Sequence, residues 1–430
     1  MTQDFNNMEP RTLKGYWYLP SNPDDQVAGI MTIWPEGKAV LELMGQFGGG
    51  FDPGVRHEDV IWGRCYDSQK NGASVTLLDC AASYMMNFGL GFPLVRYSGR
   101  YTLIGIHILS DIEPAFFRAL VHIDALTAWC PSDTVKTVHK EGEITVSVDT
   151  RRGEESVVSS VELDGGLVLR LKKGASYSSD QTKYTIERET MLEVLKEGLC
   201  IRDLVSVVRR FEEFLAFAIL KPLEHSRIIL FSEQEVQAFD DEKKYYHPIE
   251  LVIKSNSIIR TTEYKPHTFL FNYKDVAPDF KPMFLKYYTN PSIKQIWSNM
   301  MASLEWSPLF TSNDFLIVAQ AVDGFSLRFR KESSFLDQLK ALREEFEGVS
   351  KMTLTEGDLL PVRDSRNYYS HILKIEEKEK RNALDGMALY EITEKLRILL
   401  FCCLLSFLGM DNARINNMMN NCHNSILPMG

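Results

Sequence analysis

Residues 29–45 read GIMTIWPEGKAVLELMG, and this stretch decides the first half of the fold. Two runs of mainly apolar residues flank PEGK, whose proline and glycine are typical of a tight turn between strands. Residues 13–20, LKGYWYLP, and 95–109, VRYSGRYTLIGIHIL, have the same aromatic and β-branched composition. We therefore predict that residues 11 to about 125 are rich in β-strands, with one short helix in 113–126.

The middle of the chain mixes two patterns. Apolar and polar residues alternate in 143–150, EITVSVDT, and in 166–174, GLVLRLKKG, which predicts half-buried strands. In 187–220 the apolar residues recur three and four apart, a spacing that predicts a helix. The leucines that set this spacing are Leu192, Leu195 and Leu199. Strand-like composition returns in 225–264.

The character of the sequence changes again from Pro282 onward. Five segments with helix-like spacing follow, separated by short connections: 293–306, 312–329, 334–349, 366–384 and 387–409. Short connections between helices are typical of an antiparallel bundle. We predict an α+β protein. A β-rich N-terminal domain, in one lobe or two, covers residues 1–284, and an all-α helical bundle covers 285–430.

Charge argues against a general nucleic-acid-binding protein. The formal net charge is −10, whereas proteins that coat nucleic acids are basic. Residues 285–430 carry 17 Lys and Arg against 18 Asp and Glu, so they are nearly neutral. Residues 1–284 carry the other 31 Lys and Arg against 40 Asp and Glu, so the acidic surplus lies there. This balance is compatible with a local positive cleft in the last third, but the sequence does not show one.

Cysteines and apolar runs indicate the compartment. Seven cysteines without a CxxC pair suggest neither a disulfide framework nor a zinc site, which favours the reducing cytoplasm. The N-terminal MTQDFNNMEPRTLKG has no apolar core, so we do not expect a secretory leader. Residues 398–410, ILLFCCLLSFLGM, are shorter than the ~20 residues that cross a bilayer, and we predict a buried helix there rather than a membrane anchor.

Common catalytic and cofactor motifs are missing from the sequence. The glycine clusters in 46–54, QFGGGFDPG, and 86–93, MNFGLGFP, match neither GxxxxGK[ST] nor GxGxxG. The histidines form no HExxH motif, and the tail 420–425, NNCHNS, lacks further metal ligands nearby in sequence. No GxSxG motif is present. We therefore expect no metal and no other cofactor.

The stretch RDSRNYYSHI, residues 363–372, offers the strongest candidate site. It places Arg366, Asn367 and His371 within six residues, beside Pro361, which we expect in the first turn of a helix that follows an acidic loop. On such a helix Asn367 and His371 share a face, and the long side chain of Arg366 reaches the same point. Two other Arg/His pairs of similar spacing lie in strand-like sequence, where the side chains would not converge: Arg100 with His107 and Arg260 with His267.

These residue types suit the cleavage of RNA by its own 2′-hydroxyl group. His titrates near neutrality and transfers protons, Arg binds phosphate oxygens with a planar fork, and Asn orients a partner. A purely structural role is the alternative. In that case Arg366 pairs with Asp364, His371 is a half-buried helix residue, and Tyr368 and Tyr369 pack rather than stack on bases.

At these residues the sequence resembles known families. RNYYSH, within a C-terminal helical region, resembles the R–polar–x–x–x–H signature of HEPN domains, in which Asn commonly follows the Arg. LKGYWYLP together with GIMTIWPEGKAVLELMG resembles the N-terminal domain of the ApeA family of bacterial anti-phage proteins, which join a β-rich region to a C-terminal HEPN domain.

The resemblance implies a metal-independent RNA endonuclease that acts in abortive infection. It implies that Arg366 binds the scissile phosphate, that His371 is the general base or acid, and that Asn367 orients the substrate. It also implies a homodimer that pairs two HEPN domains, a β-rich domain that senses a phage-derived trigger or restrains the nuclease, and no membrane partner.

Two other readings remain open from the sequence. The first is a non-catalytic HEPN dimerisation module joined to a ligand-binding β-rich domain. The second is a β-rich sugar-binding protein with a helical appendix, which rests only on the aromatic content of the first domain.

Overall fold

The computed structural model describes thirteen segments of the chain, which are residues 10–35, 37–48, 57–67, 70–85, 94–149, 154–179, 182–223, 227–240, 243–254, 263–304, 309–330, 334–371 and 382–424. The strands are β1 (Arg11–Leu19), β2 (Asn22–Ile33), β3 (Ala39–Met44), β4 (His57–Asp67), β5 (Lys70–Met85), β6 (Leu94–Ile104), β7 (Phe116–His122), β8 (Val135–Lys140), β9 (Glu143–Val148), β10 (Val157–Leu163), β11 (Leu167–Ser179), β12 (Tyr184–Leu199), β13 (Arg227–Phe231), β14 (Val236–Asp240), β15 (Lys243–Tyr246) and β16 (Ile249–Ile253).

The described helices are α1 (Asp124–Trp129), α2 (Ile201–Ile219), α3 (Tyr273–Val276), α4 (Phe280–Thr289), α5 (Pro291–Leu304), α6 (Ser312–Phe329), α7 (Phe335–Glu345), α8 (Glu356–Ser370), α9 (Gly386–Phe407) and α10 (Asn412–Asn421). The chain divides into two compact units. The β-unit comprises residues 1–127, 131–208 and 224–262, and the helical unit comprises 128–130, 209–223 and 263–430. The division falls inside α1 and α2.

Six strands of the β-unit close into a barrel. Their hydrogen-bonded order is β6, β3, β2, β1, β4 and β5, and β5 pairs in turn with β6. This last pairing is antiparallel and long, from Val75 opposite Ile104 to Met85 opposite Leu94. Because the two edge strands pair with each other, the barrel leaves no open edge between β5 and β6.

Alternation along the strands fills the barrel with apolar side chains. Trp17, Leu41 and Val75 are fully buried, and Tyr97 is nearly so. In PEGK the chain turns between β2 and β3, where the Trp34 amide donates to the carbonyl oxygen of Lys38 at 2.8 Å. The predicted β-rich character of residues 11 to about 125 and the predicted hairpin are both confirmed.

A second set of strands extends the sheet beyond the barrel. The order continues from β6 through β16, β13, β7, β12, β11 and β10, so β6 belongs to both parts. One face of this extension is apolar and buried, as the alternation in 166–174 predicts. It carries Leu171, Leu192, Val121, Leu230 and Ile249.

The helix predicted for 187–220 is wrong over its first half. Residues up to Leu199 belong to β12, and the helix begins only at Ile201. β12 pairs with β11 on one side and β7 on the other, with Leu192 opposite both Leu171 and Val121. In a strand Leu192 and Leu195 point to opposite faces, so pairing on both sides outweighs the helical spacing of the leucines.

An aromatic cluster forms the core of the helical unit. Phe214 of α2 lies at its centre, with ring centroids 5.5 to 6.4 Å from those of Trp129, Phe271, Phe280, Phe284, Tyr287 and Trp297. Phe217, one turn further along α2, contacts Trp297 at 4.8 Å and Phe401 of α9 at 5.9 Å. These contacts tie α2, α5 and α9 into one packed core.

The apolar run 398–410 falls mostly within α9, and residues 398–405 are buried. The predicted buried helix is thus confirmed. All seven cysteines are free and buried, and burial raises the pKa of the Cys402 thiol to about 12. Among the described helices, none combines the length and low charge that a membrane crossing requires.

The predicted fold class, a β-rich region followed by a helical bundle, is confirmed. The domain boundary near residue 285 stays a prediction. The compact units change over near residue 263, and the helical unit also takes in part of α2.

Gly63 provides a test of the barrel interior. A Cβ atom on Gly63 would lie 2.5 Å from the Trp17 ring, so we expect Gly63→Ala to lower the free energy of unfolding of the β-unit by about 1–3 kcal/mol. Thermal unfolding followed by tryptophan fluorescence measures this. Gly174→Ala is the matched control, because its Cβ would meet the end of the Met191 side chain at 3.4 Å and the Glu189 carbonyl oxygen at 3.9 Å, which are ordinary contacts. Equal melting temperatures for the two variants would contradict the packing around Trp17.

Candidate functional site

A capping box fixes the start of α8, the helix that carries the candidate site. The Thr355 amide and hydroxyl both donate to Asp358 Oδ2, at 2.7 and 2.8 Å. Lys395 of α9 donates to the same oxygen at 2.9 Å. Serine or threonine followed three residues later by an acidic residue is a strong start signal for a helix.

The predicted start of this helix is therefore wrong by about one turn. Glu356 and Asp358 belong to its first turn rather than to a preceding loop, and Pro361 lies further inside the helix. The capping box between Thr355 and Asp358 sets the boundary, and the proline is accommodated after it.

Arg366 is held by side chains from three helices. Its Nη2 donates to Asp323 Oδ2 of α6 at 2.7 Å, and its Nη1 donates to Asn367 Oδ1 at 3.2 Å. Its guanidinium lies over the ring of Phe335, the first residue of α7, at 5.4 Å from the centroid. The Arg366 side chain remains 29% exposed, so a ligand can reach it.

His371 caps the C-terminal end of α8. Its amide donates to the carbonyl oxygen of Asn367 at 3.3 Å, and the residue is exposed. The structure thus brings Arg366 and Asn367 into direct contact and places His371 one turn beyond Asn367. An exposed imidazole can exchange protons with a ligand that reaches it.

The contacts expected from a purely structural role are found in part. Asp364 pairs with Arg363, at 2.7 Å, and Arg366 pairs with Asp323 instead. Tyr369 does pack as predicted, since its hydroxyl donates to the Leu384 carbonyl oxygen at 2.8 Å. His371 is exposed rather than half-buried.

Sequence reasoning missed Asp323. It lies in α6 among residues that are almost fully buried, such as Val322 and Phe325. An acidic residue within an apolar helical stretch is the signal that would have found it, because a carboxylate at such a position needs a partner.

The Arg100–His107 pair behaves differently. Arg100 lies in β6, and His107 stacks on Trp62 with ring centroids 4.8 Å apart while its Nε2 bonds the Gly63 carbonyl oxygen. His107 therefore has a packing role. Arg260 lies outside the described residues, as do most of the two glycine clusters. In the part of the chain that is described, no group of His, Cys, Asp or Glu residues is suited to hold a metal ion.

The helical unit also contains a cavity of about 490 Å³. It is lined by residues of 266–275 and of α10, among them His267, Lys274 and Arg414. Arg366, Asn367 and His371 do not line this cavity.

The fold and the site together define a class of protein. A closed β-barrel with an extended sheet precedes a helical bundle in which one helix carries the Arg–Asn–x–x–x–His sequence. Residues 12–287 match the family model of ApeA N-terminal domain 1, and residues 316–414 match that of the Apea-like HEPN domain.

The first match covers more than half of the chain, and the chain belongs to the ApeA family. The resemblance stated from the sequence is confirmed, and with it the assignment to a family of anti-phage HEPN nucleases. No curated protein and no solved structure matches the chain.

Asp358 tests how α8 is anchored. Burial opposes its ionisation, but hydrogen bonds from Thr355 and Lys395 outweigh burial and lower its pKa below the ordinary 3.8. A lowered carboxylate pKa stabilises the folded state above pH 3.8, and this contribution is lost as the pH falls through the folded-state pKa. We expect Asp358→Ala to cost about 1 kcal/mol at neutral pH, which would make hydrogen exchange in the first turn of α8 about fivefold faster.

The matched control is Glu356→Ala. Glu356 lies in the same turn but is 65% exposed in its ion pair with Arg343, and exposed pairs contribute little. If Glu356→Ala speeds exchange as much as Asp358→Ala at pH 7, the capping box does not anchor the helix.

Proposed function

We propose that the protein is a metal-independent endoribonuclease that acts in anti-phage defence. Arg366 binds and polarises the scissile phosphate, His371 is the general base or acid, and Asn367 orients them. The observation that carries the proposal is the arrangement at the end of α8, within the segment that matches the HEPN family. A partly exposed guanidinium is fixed there, five residues before an exposed imidazole.

The reaction follows from these groups. The 2′-hydroxyl group of one nucleotide loses its proton to a base and attacks the adjacent phosphorus. The bond to the 5′-oxygen breaks, and an acid protonates that oxygen, which leaves a 2′,3′-cyclic phosphate. Two imidazoles, one from each subunit of a dimer, can supply the base and the acid. Arg366 stabilises the negative charge that develops on the phosphate oxygens.

Charge limits how the RNA binds. The helical part is nearly neutral, so we expect few phosphate contacts and a shallow dependence of binding on salt. The acidic surplus in residues 1–284 would repel RNA elsewhere on the chain. We propose that the barrel domain senses a phage-derived trigger or restrains the nuclease, and that cleavage in the cytoplasm halts the infected cell.

One observation favours a second candidate, a non-catalytic HEPN module. Arg366 has intramolecular partners in Asp323, Asn367 and Phe335, as a purely structural arginine would have. In this case the helical unit only dimerises, and the β-unit binds the ligand.

Cleavage of end-labelled RNA in EDTA distinguishes the two candidates. We expect the wild-type protein to cut and to leave a 2′,3′-cyclic phosphate. His371→Ala and Arg366→Ala should reduce the rate by about 100-fold or more, because each removes a group that acts in the transition state.

His267→Ala is the control, since His267 belongs to one of the other Arg/His pairs and lies in the same unit. Where purified protein is inactive, the same variants are compared for protection of cells against phage. Full RNA cleavage by His371→Ala and Arg366→Ala would contradict the assigned site. Full protection by both variants, with no cleavage by wild type or variants, would leave the non-catalytic module.

Oligomeric state is a separate expectation. HEPN domains generally act as dimers, and several large apolar side chains of the helical unit are exposed, namely Leu309, Leu327, Leu360, Met387 and Tyr390. We expect light scattering to give about twice the chain mass of 49.3 kDa at assay concentration. A monomer that still cleaves RNA would contradict the two-subunit site.

A further inference from the structure

Asp323 occupies a position where a carboxylate is costly unless it is paired. Its side chain is 14% exposed, and its neighbours Val322 and Phe325 are fully buried. Removing a carboxylate from water is unfavourable unless a partner compensates. The partner is Arg366, whose Nη2 lies 2.7 Å from Asp323 Oδ2. The Arg366 guanidinium, the proposed phosphate-binding group, therefore also compensates the buried charge of Asp323 in α6.

The contacts of Arg366 fix the orientation of its guanidinium plane. Asp323 binds one edge, Asn367 Oδ1 accepts from the other terminal nitrogen, and the Phe335 ring lies against the face. A guanidinium has five N–H donors, and these contacts use two of them. Donors remain for a phosphate at an edge that is already oriented.

We propose that Asp323 is a positioning residue of the ribonuclease. By binding one edge of the Arg366 guanidinium it aims the remaining donors at the scissile phosphate before RNA arrives. This inference rests on the proposed function and adds a residue outside the Arg–Asn–x–x–x–His sequence. Fixing a donor in advance matters most where charge develops, because no reorganisation is then needed in the transition state.

The ion pair between Asp323 and Arg366 could instead restrain the nuclease, and the two roles predict opposite changes in activity when Asp323 is replaced. If Asp323 competes with phosphate for Arg366, removing it should free the arginine and raise the activity. If Asp323 positions the arginine, removing it leaves a mobile guanidinium and lowers the activity. The sign of the change decides between the two.

The experiment compares RNA cleavage kinetics of Asp323→Ala and Asp323→Asn in the full-length protein. We expect kcat to fall about 10- to 100-fold in Asp323→Ala, since small misplacements of a catalytic group have effects of this size. KM should not rise, because a negative charge near the RNA has been removed. Asp323→Asn keeps an oxygen that accepts from Nη2, so it should recover part of the loss in kcat.

Glu345→Ala is the matched structural control. Glu345 of α7 binds Arg330, at the end of α6, with contacts of 2.8 and 2.6 Å, and the variant removes an ion pair between helices away from the site. We expect it to lower the melting temperature as Asp323→Ala does but to leave kcat within about twofold, since it moves no group at the site.

Different outcomes test the positioning role of Asp323 and the proposed ribonuclease site separately. Equal kcat values for Asp323→Ala and Glu345→Ala, or a higher kcat in Asp323→Ala than in the wild type, overturn the inference while loss of activity in Arg366→Ala upholds the ribonuclease. Wild-type rates of RNA cleavage in Arg366→Ala and His371→Ala instead overturn the catalytic site assigned under the proposed function. If the purified protein needs a trigger, plaque counts on cells expressing each variant give the same ranking.

Discussion

The β-unit depends on one strand, β6, because this strand is hydrogen-bonded to neighbours along both of its edges. Over its full length it pairs with β5 and so closes the barrel. On its other side the first half pairs with β3 and the second half with β16. A register slip of one residue would turn Val95 and Tyr97 out of the barrel and break the junction with the outer sheet at the same time. The barrel and the extended sheet are therefore specified together.

The helical unit meets a different constraint, since its core is built from large aromatic rings that interlock around α2. These contacts hold α5 and α9 in place, and α9 in turn anchors α8 through Lys395 and Asp358. The position of Arg366 follows from this framework, with α6 and α7 supplying Asp323 and Phe335. The arrangement at the end of α8 thus depends on helices that contribute no residue to the sequence motif.

Local patterns in the sequence predicted much of this. Aromatic and β-branched composition with turn residues located the barrel strands, and the apolar run 398–410 located buried α9. The spacing of Leu192, Leu195 and Leu199 predicted a helix where the chain forms β12. A strand that is paired on both sides is specified by partners distant in sequence, which a local pattern does not contain. Arg366, Asn367 and His371 were found by their order in one short stretch. Asp323 was not, because it lies 43 residues away and only folding brings it to Arg366.

The burial of α9 has a consequence for the synthesis of the chain. Residues 398–405 are covered on all sides, so the helical core is incomplete until they leave the ribosome. Arg366 and His371 are translated earlier, while α6, α7 and α8 still lack the helix they pack against. Domains generally fold in the order of synthesis, so the barrel is complete before the bundle. A chain released prematurely before α9 would carry every residue of the motif without the framework that aligns them.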